Sequence, residues 1–167
     1  GEILAVDKYG VKLTQLKGAC DRLGVTSVRF LEADGATLSV DDPVDRVLLD
    51  APCSGLGVLA KKPDMKWKRE TSDLLKLTAL QARLLDNAAT LVRPGGILVY
   101  STCTTEPEEN QLMVRAFLER HPEFSVEDAR GLVSSDLVNA DGFVETFPHR
   151  HGMDGSFAAR LVRRPDR

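Results

Sequence analysis

No apolar run in the chain approaches the roughly 20 residues that a membrane-spanning helix needs, so no membrane partner is expected. Cysteine is scarce, with only Cys20, Cys53 and Cys103. An odd count without a C-x-x-C pair argues against a disulfide framework and against structural zinc. It suits a reducing, cytoplasmic setting. Histidine is equally sparse: His121, His149 and His151. The H-x-H pair lacks a partner cysteine or carboxylate at ligand spacing, so no metal is expected. Excess positive charge is missing too. The net charge is −3, which gives no global pull toward nucleic acid. An RNA substrate would have to be held by local patches or by a further part of the protein. The candidate patches are Lys61, Lys62, Lys66, Trp67, Lys68 and Arg69, and the tail residues Arg160, Arg163 and Arg164; solvated surface charge is the plain alternative for each. Internal repeats and low-complexity segments are lacking. So are an initiator Met and a signal peptide. The opening Gly1-Glu2-Ile3-Leu4-Ala5-Val6 reads like the middle of a longer protein, so a missing targeting signal excludes little.

What is present is an ordinary globular composition, 43% hydrophobic and 28% charged, in 167 residues. That length predicts one domain with a real core. Strands are expected at 2–6, 27–32, 45–49 and 97–101, with final strands at 142–147 and 156–163 as antiparallel neighbours. Helical spacing of apolar residues predicts helices at 10–23, 72–92 and 108–120. Gly24 should stop the first, and Ser72 should cap the second. Cys20 lies on the apolar stripe of the first helix and reads as a core thiol. Arg93-Pro94-Gly95-Gly96 reads as a turn. Residues 54–71 read as a long loop, which in a compact domain is usually functional or disordered. Strands alternating with helices predict an α/β fold, a mostly parallel sheet with helices on both faces.

The chemistry gathers at two strand ends. Val47-Leu48-Leu49 suits a strand buried on both faces, and it ends at Asp50-Ala51-Pro52-Cys53-Ser54-Gly55. Ile97 to Tyr100 is followed by Ser101-Thr102-Cys103-Thr104. In open parallel sheets ligands bind past the carboxyl ends of strands. A carboxylate and two thiols are thereby delivered to one edge. Asp7 and Asp34 also follow strands. Asp7 suits ribose hydroxyls and Asp34 an adenine edge, although Asp is common in turns for its own reasons.

The segments D-A-P-C-S-G (50–55), K-K-P-D-M-K-W (61–67), R-P-G-G (93–96), Y-S-T-C-T (100–104), P-E-E-N (107–110) and D-G-S-F-A-A-R-L (154–161) cover essentially the whole chain. Together they resemble the RNA cytosine-5 methyltransferases of the Sun/Nol1/Nop2 family, within it the bacterial branch acting on 16S ribosomal RNA. The resemblance implies a Rossmann-like fold that binds S-adenosylmethionine. It implies that Asp7 holds the cofactor ribose, that Asp34 contacts the adenine, and that Asp50 lies by the methionine moiety and the target base. It implies Cys103 as nucleophile, with Cys53 assisting product release.

Carbon 5 of cytosine is a poor nucleophile. A thiolate added at carbon 6 makes the ring enamine-like, so that carbon 5 can accept a methyl group from a sulfonium. Asp50, if protonated, could donate to ring nitrogen 3, which requires a raised pKa. Cys53 is the candidate to remove the carbon-5 proton, directly or through water. The target base must leave its stack, and Trp67 and Tyr100 are candidate stacking surfaces beside a packing role for each. The family's glycine-rich cofactor segment does not occur in these residues. The resemblance places it, and the first strand of the sheet, before Gly1. The chain is therefore expected to be a partial catalytic domain that binds cofactor poorly by itself. Two other readings stay open. One is a noncatalytic RNA-binding or assembly module that kept the fold, supported by the missing cofactor segment and the acidic balance. The other is a methyltransferase for DNA cytosine, where a Pro-Cys thiol usually serves as nucleophile.

Overall fold

The computed structural model describes residues 1–68 and 70–166. In chain order the elements are β1 (Ile3–Asp7), α1 (Gly10–Leu23), β2 (Val28–Glu32), β3 (Val44–Asp50), α2 (Met65–Lys68), α3 (Thr71–Leu91), β4 (Val92–Thr102), α4 (Gln111–Arg120), β5 (Phe124–Val126), β6 (Val144–Thr146), α5 (Pro148–His151) and β7 (Ser156–Arg163). Among the described residues no helix is long and apolar enough to cross a membrane.

The strands form two sheets. β1 and β2 pair in parallel, and α1 packs on both. The larger sheet has the order β3-β4-β7-β5, with β6 also paired to β7. β3 and β4 are parallel, whereas each pairing with β7 is antiparallel. The expected parallel arrangement thus holds for β1–β2 and β3–β4, and β7 makes the larger sheet mixed. The resemblance implies a further strand that would join the sheets between β1 and β3; among the described residues no strand pairs with both.

Alternation on β4 and β7 explains the core. Leu98 and Tyr100 of β4 and Phe157, Ala159 and Leu161 of β7 point to one face. There they meet Leu85, Ala88 and Ala89 of α3 and Met113, Val114 and Phe117 of α4. β3 departs from expectation. Val47 and Leu49 pack against this core, but Leu48 is 72% exposed. β3 is covered on one face because α3 and α4 both lie on that side of the sheet.

The remaining differences are local. α3 starts at Thr71, with Glu70 rather than Ser72 as its N-cap; the Glu70 N–H donates to Asp73 Oδ2 at 3.3 Å. Arg93 to Gly96 loops out within β4, because the pairing steps from Val44↔Val92 to Arg46↔Ile97. Gly95 there has φ of 75°. β5 and α5 were not expected. Gly24 ends α1 in the left-handed region, and Cys20 is buried, both as predicted. The two sheets are tied together by α3. The Asn87 side-chain amide donates to Gly35 O at 2.9 Å and Leu38 O at 3.0 Å.

Candidate active site

The site begins where the β3–β4 ladder ends. Asp50 pairs with Ser101, and the Ala51 N–H donates to Ser101 O at 2.9 Å. Past that point the two chains turn, and each presents a cysteine. Cys53 Sγ lies 3.2 Å from Cys103 Sγ, and the Cys103 N–H donates to Cys53 Sγ at 3.3 Å. Two sulfurs separated by 50 positions in sequence therefore meet, as the strand-end pattern predicted. Cys53 is partly buried and Cys103 is exposed. Burial, followed by the hydrogen bond with Cys103, pushes the Cys53 thiol up to about 12, so Cys53 keeps its proton at neutral pH.

Cys103 opens into a cleft of about 680 Å3, which it lines with Lys61, Thr146, Met153, Asp154 and Ser156. That volume is in the range of small-molecule sites. Lys61 Nζ and Asp154 Oδ2 form an ion pair of 2.6 Å at its rim. Two glycines bring the cleft's walls together. The Gly57 N–H donates to Cys103 O at 3.1 Å, and the Gly155 N–H donates to Gly57 O at 2.8 Å. A Cβ on Gly57 would stand 2.1 Å from Gly155 O and 2.8 Å from Cys103 O, so only glycine fits.

Asp50 is exposed at the end of β3 and accepts from Ser101 Oγ at 3.2 Å. Asp7 and Asp34 lie apart from the thiols, at the ends of β1 and β2. Asp7 accepts the Tyr9 N–H at 2.9 Å and Lys12 Nζ at 3.2 Å. Asp34 accepts the Ala36 N–H at 2.9 Å and Lys8 Nζ at 3.2 Å. The backbone N–H is the foremost cause that holds each carboxyl below its ordinary 3.8, with the lysine adding to it. Both are thus ionised acceptors at the carboxyl ends of parallel strands.

The stacking candidates separate. Tyr100 is fully buried, and its hydroxyl donates to Glu109 O at 2.7 Å, so it belongs to the core and offers no face to a base. Trp67 is 84% exposed, with Lys66 Nζ 5.5 Å from its ring centroid. Of the basic patches, Arg69 lies outside the described residues. The residues of the tail patch are each engaged within the chain. Arg160 bonds Glu127, Arg163 donates to Val92 O at 2.6 Å, and Arg164 donates to Pro122 O. His151 Nδ1 accepts the Phe147 N–H at 2.9 Å.

Sequence reasoning missed the polar cluster beneath the thiols. Ser54, Gln81, Thr102, Thr104, Glu109 and Asn110 are all buried. A signal was available for Gln81, which sits on the apolar stripe of α3 at helical spacing from Leu77, Leu84 and Leu85.

A family model described as 16S rRNA methyltransferase RsmB/F matches residues 1–162. The chain belongs to this family. Members similar to it include the probable ribosomal RNA small subunit methyltransferase B of Synechocystis sp., 40% identical over 168 residues, and that of Bacillus subtilis, 36% identical over 171 residues. Each alignment covers 98% of this chain, which spans 38% of the length of these curated relatives. Among solved structures, NSun6 from Pyrococcus horikoshii with SFG superimposes with a TM-score of 0.86 at 30% identity, covering 99% of this chain and 42% of that one. A methyltransferase homolog protein from the same organism gives 0.82 at 27% identity, covering 98% and 53%. The RsmB/F assignment and these superpositions establish the Rossmann-like methyltransferase fold that the resemblance implied, on the α/β frame expected from the strand and helix pattern.

Proposed function

We propose that residues 1–167 form part of the catalytic domain of an S-adenosylmethionine-dependent RNA methyltransferase that acts on carbon 5 of a cytosine in 16S ribosomal RNA, with Cys103 as nucleophile. The observation that carries the reading is the 3.2 Å approach of two thiols beside an open cleft at the strand ends. Family membership and the names of the bacterial relatives support the substrate class. The reducing cytoplasm is the compartment in which such a thiol pair stays reduced.

The carboxylates fit the methyl donor's chemistry. Asp7 and Asp34 are ionised acceptors with free lone pairs, suited to ribose hydroxyls and an adenine amine. Asp50 lies between these acceptors and the thiols in chain order, suited to the methionine end and the target base. When bound, S-adenosylmethionine supplies an electrophilic methyl carbon. The chain's residues do the rest. Cys103 Sγ bonds to carbon 6 of the ring, and the displaced electron pair makes carbon 5 nucleophilic. Asp50, when protonated, would donate to ring nitrogen 3 as negative charge develops there. After methylation the carbon-5 proton leaves, the ring double bond re-forms, and the bond to Cys103 breaks. Cys53 is the candidate acceptor of that proton, directly or through water. While Cys103 is free, its hydrogen bond and charge help to hold the Cys53 proton on. Once Cys103 is bonded to carbon that contribution is gone, and Cys53 gives its own proton to solvent before it takes the one from carbon 5. The exposed Trp67 offers a surface for a base taken out of its stack.

The test is transfer of labelled methyl to 16S ribosomal RNA by the complete gene product. Cys103→Ala is expected to abolish transfer. Cys53→Ala is expected to accumulate a protein–RNA adduct that survives denaturing gels. Undiminished transfer by Cys103→Ala overturns the reading. RNA binding retained without any transfer by the unmodified protein would favour a noncatalytic module.

A further inference from the structure

We propose that Glu109 and Asn110, adjacent in the chain, are positioning residues that hold the two cysteine turns, one each, and so set the approach of the sulfurs. The proposal builds on the reading of Cys53 and Cys103 as the reacting thiols.

Backbone pairing of β3 with β4 stops at Ala51 and Ser101, and that of β4 with β7 at Thr102, so the ladders do not by themselves fix the Cys53 turn against the Cys103 turn. Side chains take over. The Ser54 N–H donates to Glu109 Oε1 at 2.8 Å, and Ser54 Oγ donates to Glu109 Oε2 at 2.5 Å. On the other side of Cys53, Pro52 O accepts Gln81 Nε2 at 2.8 Å, and that same nitrogen donates to Glu109 Oε1 at 2.9 Å. Cys103 is held in the same way. Thr102 Oγ1 donates to Asn110 Oδ1 at 2.6 Å, and Asn110 Nδ2 donates to Thr104 O at 3.0 Å. The residues before and after each cysteine are therefore all anchored, and a 2.8 Å contact between Ser54 Oγ and Thr104 Oγ1 joins the two turns. The Tyr100 hydroxyl on Glu109 O fixes the backbone of the clamp.

Stability alone is a weak reason for this arrangement. Glu109 and Gln81 are fully buried, and Gln81 Oε1 has no partner among the described residues. Burying a carboxylate and an unsatisfied amide oxygen is costly, and packed hydrocarbon commonly does as well. What hydrocarbon lacks is direction. A misplacement of about 1 Å at a reacting group costs on the order of a hundredfold in rate.

The experiment reads thiol geometry without RNA. In a Cys20→Ala background, the equilibrium with glutathione disulfide is measured by thiol alkylation and mass. Both protein S–H bonds break and one S–S bond forms. Two electrons and two protons pass to glutathione disulfide, which leaves as two glutathione thiols. The equilibrium constant reports how well one sulfur is presented to the other. Glu109→Leu and Thr102→Val are each expected to lower it by about tenfold or more, a share of the orientation effect. Glu109→Gln can still accept the Ser54 N–H and donate to Ser54 Oγ, so it should stay within about threefold of the parent, as expected where a hydrogen bond is kept. Val126→Ala, in β5, should lower the melting temperature and leave the constant unchanged. If Glu109→Leu does not fold, Thr102→Val and Glu109→Gln decide the matter. Folded Thr102→Val with the parental constant overturns the proposal, as does a fall in Val126→Ala equal to that in the clamp variants. A complete gene product with the expected thiol behaviour but no methyl transfer would sink the catalytic reading and leave the clamp standing.

Discussion

Gly57 illustrates how little room the site leaves at the level of single residues. Its missing side chain lets three segments close over one another: the Cys103 turn, the Gly57 turn and the Gly155 turn. Gly57→Ala forces a Cβ against two carbonyl oxygens at 2.1 and 2.8 Å. Overpacking of this kind costs about 1–3 kcal/mol, occasionally more, and urea unfolding should show it. Asp7 carries a pH prediction. Its folded pKa is depressed below 3.8 by the Tyr9 N–H foremost, against a smaller opposing effect of burial, with Lys12 adding to the depression. A depressed carboxyl contributes stability that is present above its unfolded pKa and is lost as pH falls through the folded value. Asp7→Asn should therefore lower the melting temperature at neutral pH and flatten its decline below about pH 4. A decline identical to that of the parent would show that Asp7 contributes nothing to acid sensitivity.

At the scale of elements, α3 is the member on which both sheets lean. Leu85 is fully buried in the core between α3 and the larger sheet. Leu85→Ala is expected to cost about 2–5 kcal/mol, measurable as a lower urea midpoint with unchanged slope. α3 was also among the most legible elements, because twenty residues of apolar periodicity leave few alternatives. β6 fell within the strand expected at 142–147, but other short elements were not legible. Phe124–Val126 is a strand only because β7 offers it an edge, and three residues carry no period. The same limit explains Leu48. Val47-Leu48-Leu49 reads as buried on both faces, but whether a second face is covered depends on which partners are present, and no local pattern records that. Asp50, Cys53 and Cys103 were legible because polar residues straight after an apolar run mark strand ends, and parallel neighbours bring those ends together. Glu109 was not, since an acidic residue within Pro107-Glu108-Glu109-Asn110 looks like surface charge until the Ser54 turn closes over it.

Across the molecule, the thiols and the carboxylates Asp7 and Asp34 belong to different sheets that share no backbone ladder among the described residues. Strand register therefore does not fix the distance between the two groups, and side-chain contacts contribute to it. Asn87 is where this dependence concentrates, since one amide reaches two carbonyls of the segment that follows β2. Asn87→Ala leaves both half-buried carbonyls without that partner, at about 0.5–1.5 kcal/mol for each hydrogen bond lost. Deuterium exchange should quicken at residues 28–38 and stay slow in β4 and β7; uniform quickening would mean that the sheets open as one unit. A lever follows from so small a hinge pin. Slackening that single amide would loosen the hold of α3 on the segment that follows β2, with Asp7 and Cys103 themselves unaltered.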